Sequence, residues 1–133
     1  MGVFWVDAHG DFNTPESSPS GNIHGMPLAV CVGLGPRSLR NIGGAFPKVD
    51  PQNIAIIGLR NLDQGEKNNL RKRGVNIFTM EEIDKYGIHR IMKKAFQEVA
   101  KNADYLHVSF DLDSVDPVYA PGVGTPVKGG LDY

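Results

Sequence analysis

The chain has 133 residues, and its 14 basic and 15 acidic side chains leave a formal net charge of -1. That length holds one domain with a core and is short for two; without a basic run, an aromatic-interleaved patch or an acidic tail, the composition argues against nucleic acid and for a small uncharged or amphoteric ligand. The single Cys31 rules out an intrachain disulfide framework, and no apolar run approaches the ~18–20 residues that span a bilayer, so a soluble, cytoplasmic protein with no membrane partner is expected.

In chain order, Val3-Phe4-Trp5-Val6 has the composition of a buried strand, and Asp7-Ala8-His9-Gly10-Asp11 follows it directly. Side chains two apart on extended backbone share a side, so Asp7, His9 and Asp11 are expected to converge. The stretch 13–25 is too broken by Pro, Gly and Ser for regular structure. His24–Leu34 reads as a mostly apolar helix with Cys31 as a small core residue. A second strand is expected at Ile54–Ile57, then a charged helix at Asp63–Arg73 that Gly74 ends as its C′ residue. Val75–Phe78 is the third strand. Ile83–Ala100 carries Ile88, Ile91, Met92, Ala95, Phe96 and Val99 at helical spacing, which predicts an amphipathic helix. The fourth strand, Leu106–Phe110, runs into Ser109-Phe110-Asp111-Leu112-Asp113, again two carboxylates at a strand end, and a Pro- and Gly-rich loop fills 117–130. Strands alternating with helices predict right-handed crossovers and a three-layer αβα arrangement with a parallel sheet covered on both faces. Ligands collect beyond the carboxyl ends of such strands, where both acidic clusters fall.

Four carboxylates and an imidazole cannot share a small volume without cations, because each buried uncompensated charge costs several kcal/mol or is neutralised by protonation. Oxygen-rich donors with one imidazole suit manganese or magnesium better than structural zinc. Bridging carboxylates make a pair of ions the expected arrangement.

Three linked motifs give the chain a specific resemblance. Trp5-Val6-Asp7-Ala8-His9-Gly10-Asp11-Phe12-Asn13-Thr14, then Ser20-Gly21-Asn22-Ile23-His24-Gly25-Met26-Pro27, then Ser109-Phe110-Asp111-Leu112-Asp113-Ser114-Val115-Asp116-Pro117 with Ala120-Pro121-Gly122-Val123-Gly124-Thr125-Pro126, together resemble the arginase branch of the ureohydrolases. The resemblance implies an arginase-like fold, with residues 1–133 forming part of a larger ureohydrolase domain. It also implies two Mn2+ ions, with Asp7 and Asp111 bridging them, Asp11 on one, and His9 with Asp113 on the other. A hydroxide held between the ions would hydrolyse L-arginine to L-ornithine and urea, within arginine metabolism such as the urea cycle. Asp11 and His24 are the implied catalytic residues, His24 as the proton shuttle. Asn13, Ser18 and Ser20 match positions that contact the substrate α-carboxylate. Asp63, assisted by Glu66, matches the position near the α-amino group, and the pair also has capping-box spacing. Family members often assemble as homo-oligomers.

Two family positions have no match here: a metal-binding His from an upstream strand, and a Glu beyond the second loop that holds the guanidinium group. His89 and His107, in a helix and a strand, read as structural residues. The alternatives are a noncatalytic metal-binding fragment and another amidinohydrolase such as an agmatinase, whose substrate lacks the carboxylate.

Overall fold

The computed structural model describes residues 1–132. Its frame is a parallel sheet of four strands in the order β3-β2-β1-β4, comprising β1 (Gly2–Val6), β2 (Ile54–Leu59), β3 (Asn76–Thr79) and β4 (Leu106–Phe110). The apolar run Ile54-Ala55-Ile56-Ile57 makes β2 buried along its whole length, as expected of an interior parallel strand. β1 is registered between β2 and β4, with Val6 opposite Ile57 on one side and Phe110 on the other.

Alternation along β1 and β2 sends side chains to two cores. Val3, Ile54 and Ile56 join Phe12, Leu28 and Leu70 on one face, covered by α1 (Pro27–Cys31) and α3 (Gln64–Arg73). Phe4, Val6, Ala55 and Ile57 join Phe78, Ile83, Ile91, Ala95 and Val99 on the other, under α4 (Met80–Tyr86) and α5 (Ile88–Ala100). Burying an aliphatic side chain such as Ile91 or Val99 contributes about 1.5–3 kcal/mol, so the α5 stripe is a main attachment of that layer. The three-layer arrangement expected from the alternation is therefore present, with Cys31 half-buried against the first core.

The differences are local and have local causes. The helix expected over 24–34 is a 3-10 turn at Ile23–Gly25 followed by α1, because Pro27 supplies no N–H and starts a new helix at its first position. A further short helix, α2 (Arg37–Arg40), follows it. The helix expected over 83–100 begins earlier, at Met80 under the Thr79 cap, and is divided into α4 and α5 by Gly87 at φ 81. Gly74 does end α3, in the left-handed conformation at φ 69, ψ 32. β4 is an edge strand and is not covered: Leu106, Val108 and Phe110 are 41%, 54% and 55% exposed. Phe96, expected on the buried stripe of α5, is also exposed. Among the described residues no helix is long and apolar enough to cross a membrane.

Candidate metal centre

The first acidic cluster departs from the extended geometry its alternation suggested. β1 ends at Val6, and the Asp7 N–H still donates to Ile57 O at 3.0 Å. The chain then folds over the end of β2, where the N–H groups of Arg60 and Asn61 both donate to Ala8 O at 3.0 Å. Asp11 sits at φ 50 in the left-handed region, with its carbonyl accepting from Leu28 N and Ala29 N at 3.0 and 3.2 Å. An aspartate tolerates that conformation better than most residues, and the first turn of α1 holds it there. A turn, not a strand, thus brings Asp7, His9 and Asp11 to one cavity.

Asp7 is 2% exposed; its Oδ2 accepts from Trp5 Nε1 at 3.1 Å and its Oδ1 from the His9 backbone N–H at 2.7 Å. The second cluster is delivered by β4, whose end is tied to β1 through Asp111 N to Val6 O at 2.9 Å. Asp111 caps a 3-10 turn at Leu112–Ser114 by accepting from Asp113 N. Asp113, 3% exposed, accepts from Ala8 N through Oδ1 at 3.2 Å and from the Thr125 hydroxyl through Oδ2 at 3.0 Å. His9 Nδ1 lies 3.0 Å from Asp113 Oδ2 and 3.4 Å from Asp7 Oδ1. Donor atoms of Asp7, His9 and Asp113 all fall within 4.8 Å of one another, a spacing and chemistry that fit a divalent ion. Asp11 and Asp111 stand outside that tight group and line the same cavity.

The electrostatics of the cluster fit a cation as well. Burial, reinforced by the Asp7 charge and then by Glu66, pushes the Asp11 carboxyl up to about 8. His9 is raised above its ordinary value chiefly by its hydrogen bond to Asp7, against an opposing desolvation. Glu66 is raised by burial. A carboxyl held in its protonated form by burial and like charge, as Asp11 is, is ready to exchange its proton for a metal ion.

The cavity has a volume of about 350 Å³ and is lined by Asp7, His9, Asp11, Asn13, Ser18, Ser20, His24, Asp63, Glu66, Asp111 and Asp113, together with Asn22, Gly25, Gly124 and Thr125. Every site residue expected from the sequence therefore faces one space. His24 is exposed on the 3-10 turn at the rim. Asn13, 5% exposed, donates through Nδ2 to Asp63 Oδ2 at 3.1 Å and accepts from the Ser17 hydroxyl at 2.9 Å. Glu66, 4% exposed, accepts from Phe12 N at 2.8 Å and Asp63 N at 3.4 Å, latching the first metal loop to the start of α3. Ser17, Asn69, Arg60 and Thr125 were not singled out by sequence. Asn69 donates to Ser17 Oγ at 3.2 Å, and its place three residues after Glu66 on a helix was the one available sign. His89 and His107 are exposed and do not line the cavity.

A parallel sheet with an oxygen-rich, imidazole-containing donor set at its carboxyl edge defines an α/β protein with a group of side chains that could hold a metal ion. The chain belongs to the arginase family, whose sequence model matches residues 1–133. It is 56% identical over 133 residues to an arginase of Brevibacillus brevis, covering all of this chain and 45% of that protein. The native structure of Bacillus caldovelox arginase superimposes with a TM-score of 0.97 at 53% identity, over 99% of this chain and 44% of that one. Entamoeba histolytica arginase, solved in complex with L-ornithine, matches with a TM-score of 0.91 at 42% identity, over 98% and 44% of the two chains. The chain thus spans about 45% of the length of the curated relatives it matches.

Proposed function

We propose that this chain carries the metal centre and the amino-acid pocket of an arginase, which hydrolyses the guanidinium C–N bond of L-arginine with manganese and gives L-ornithine and urea. The observation that carries the reading is the convergence of Asp7, His9 and Asp113 donors within 4.8 Å at the base of a cavity whose wall presents the bonded pair Asn13 and Asp63. Asp7, His9, Asp11, Asp111 and Asp113 would hold the two ions. Bound divalent ions supply Lewis acidity and a water-derived nucleophile at neutral pH.

The remaining work falls to protein groups. The Asn13 amide accepts from the Ser17 hydroxyl and donates one N–H to Asp63, and its second N–H is a donor that suits a substrate carboxylate. Ser18 and Ser20 add hydroxyl donors on the same wall. The Asp63 carboxylate complements an α-ammonium group, and Glu66 fixes the helix start from which Asp63 projects. His24, at the rim, delivers a proton to the leaving nitrogen that becomes the δ-amine of ornithine, a transfer imidazole performs near neutral pH. A pocket that pairs with an α-carboxylate discriminates against agmatine, which leaves those donors unpaired.

The test is urea release by the full chain with added Mn2+, comparing L-arginine with agmatine and counting bound ions in the same sample. Urea from arginine with two ions bound supports the reading. Equal or faster release from agmatine assigns the site to another amidinohydrolase, and one weakly held ion without turnover assigns it to a noncatalytic metal-binding role.

A further inference from the structure

Arg60, one residue past β2, is half-buried and, among the described residues, donates only to main-chain carbonyls. Nη2 reaches Asp113 O at 2.6 Å and Val127 O at 2.7 Å. Nη1 reaches Ser114 O at 3.2 Å and Gly58 O at 3.3 Å. Nε lies 3.3 Å from both Val127 O and Lys128 O. One side chain thereby ties the end of β2 to the acidic turn after β4 and to the loop that follows it. The guanidinium stays charged in proteins and so sets a positive charge beside Asp113, although burial opposes its ionisation against the pull of Asp113, Asp116 and Asp7.

The loop it grips has a specific task. Three residues before Lys128, the Thr125 hydroxyl donates to Asp113 Oδ2, the oxygen that also faces His9 Nδ1. Asp116 holds the far side of the loop by accepting from Gly129 N at 2.7 Å and Gly130 N at 3.1 Å. Gly130 is required by the clamp itself, since a Cβ there would lie 2.6 Å from Arg60 Nη2 and 2.5 Å from Asp116 N.

We propose that Arg60 is a positioning residue for the metal centre: it sets the Asp113 main chain directly and, by pinning the Val127–Lys128 carbonyls, seats the Thr125 hydroxyl that orients the Asp113 carboxylate. The role rests on the metal reading above. Only a planar fork with five donors spans these acceptors; a lysine ammonium has three donors from one point. Groups that orient a metal ligand are commonly worth about 10–100-fold in metal affinity.

The test measures Mn2+ affinity by the electron paramagnetic resonance of free Mn2+, and amide exchange of residues 125–130 in metal-free protein, for the full chain, Arg60→Lys, Thr125→Val and the double variant. Arg60→Lys should bind Mn2+ at least about tenfold more weakly and exchange the loop amides faster. Thr125→Val should weaken binding without altering exchange at Lys128–Gly130. The double variant should bind no more weakly than Arg60→Lys alone, because both changes remove one orienting path. Parent-like Mn2+ affinity in Arg60→Lys, or losses that multiply in the double variant, would overturn the role. If Arg60→Lys does not fold, Thr125→Val carries the test alone, and parent-like Mn2+ affinity in it overturns the role. A parent chain that takes up no Mn2+ refutes the metal reading and this role together, whereas equal uptake by parent and variants refutes this role alone.

Discussion

Replacing Glu66 by alanine separates the latch role of this side chain from any part it has in the pocket. Its carboxylate is 4% exposed and accepts from Phe12 N at 2.8 Å and from Asp63 N at 3.4 Å. In Glu66→Ala the Phe12 N–H, beside a fully buried Phe12 side chain, loses its acceptor. A buried donor without a partner costs about 1–3 kcal/mol, and loss of half a capping box costs a further ~0.5–1 kcal/mol. The expected destabilisation is about 1.5–4 kcal/mol, which at about 3–5 °C per kcal/mol for a domain of this size lowers Tm by about 5–20 °C. Glu66→Gln keeps an amide oxygen for Phe12 and removes a carboxylate whose ionisation burial opposes. It should therefore melt close to the parent at pH 5. Because the Glu66 carboxyl is raised in the fold, the parent loses stability as pH rises through that raised value, and the glutamine variant does not. The two melting temperatures should diverge in favour of glutamine between pH 5 and pH 8 in metal-free protein. Thermal melts followed by circular dichroism at both pH values decide it; an alanine variant within about 0.5 kcal/mol of the parent, the range of an ordinary surface change, refutes the latch.

The other expectations concern the metal and the chemistry. Asp111→Ala should lower the manganese content measured by elemental analysis and abolish urea release, and retained manganese would contradict a bridging role for this carboxylate. His24→Asn should keep its metal while turnover falls by about 10²–10⁴, the usual range for losing a general acid or base; an unchanged rate removes His24 from the proton path. Asp11, pushed up to about 8, must release its proton to bind an ion. Mn2+ affinity should thus rise from pH 6 and level off above pH 8, with proton release visible by calorimetry in buffers of different ionisation enthalpy, and a flat profile refutes it. Metal-free stability should run the opposite way, being fully present below the ordinary carboxylate range and lost as pH rises through about 8.

The strands were legible because β-branched runs such as Ile54–Ile57 have few other uses at that length, and both acidic clusters announced themselves by following such runs. Gly74 was legible as a helix end for a stereochemical reason that needs no tertiary context. Asp7, His9 and Asp11 line one cavity, but a turn brings them there and not the extended backbone that the alternation suggested. The left-handed turn at Asp11 is imposed by α1, which packs there only because Leu28 and Phe12 share a core. Arg60 and Asn69 were illegible because their partners are main-chain carbonyls and a loop hydroxyl, groups present in every sequence and selected by position alone. The exposure of β4 was hidden for a related reason, since Leu106-His107-Val108 has the composition of a covered strand.

The pairing of β1 with β4 also governs the order in which the protein assembles. Gly2 pairs with Leu106 and Val6 with Phe110, a closure of roughly a hundred residues that carries a large entropic cost and folds slowly. His9 cannot meet Asp113 until that closure is made, even with Asp7, His9 and Asp11 already adjacent in the chain. A metal ion held by Asp7, His9 and Asp113 would therefore be a late passenger: it would lock a finished sheet against unfolding, with no complete set of ligands by which to hasten the sheet's formation.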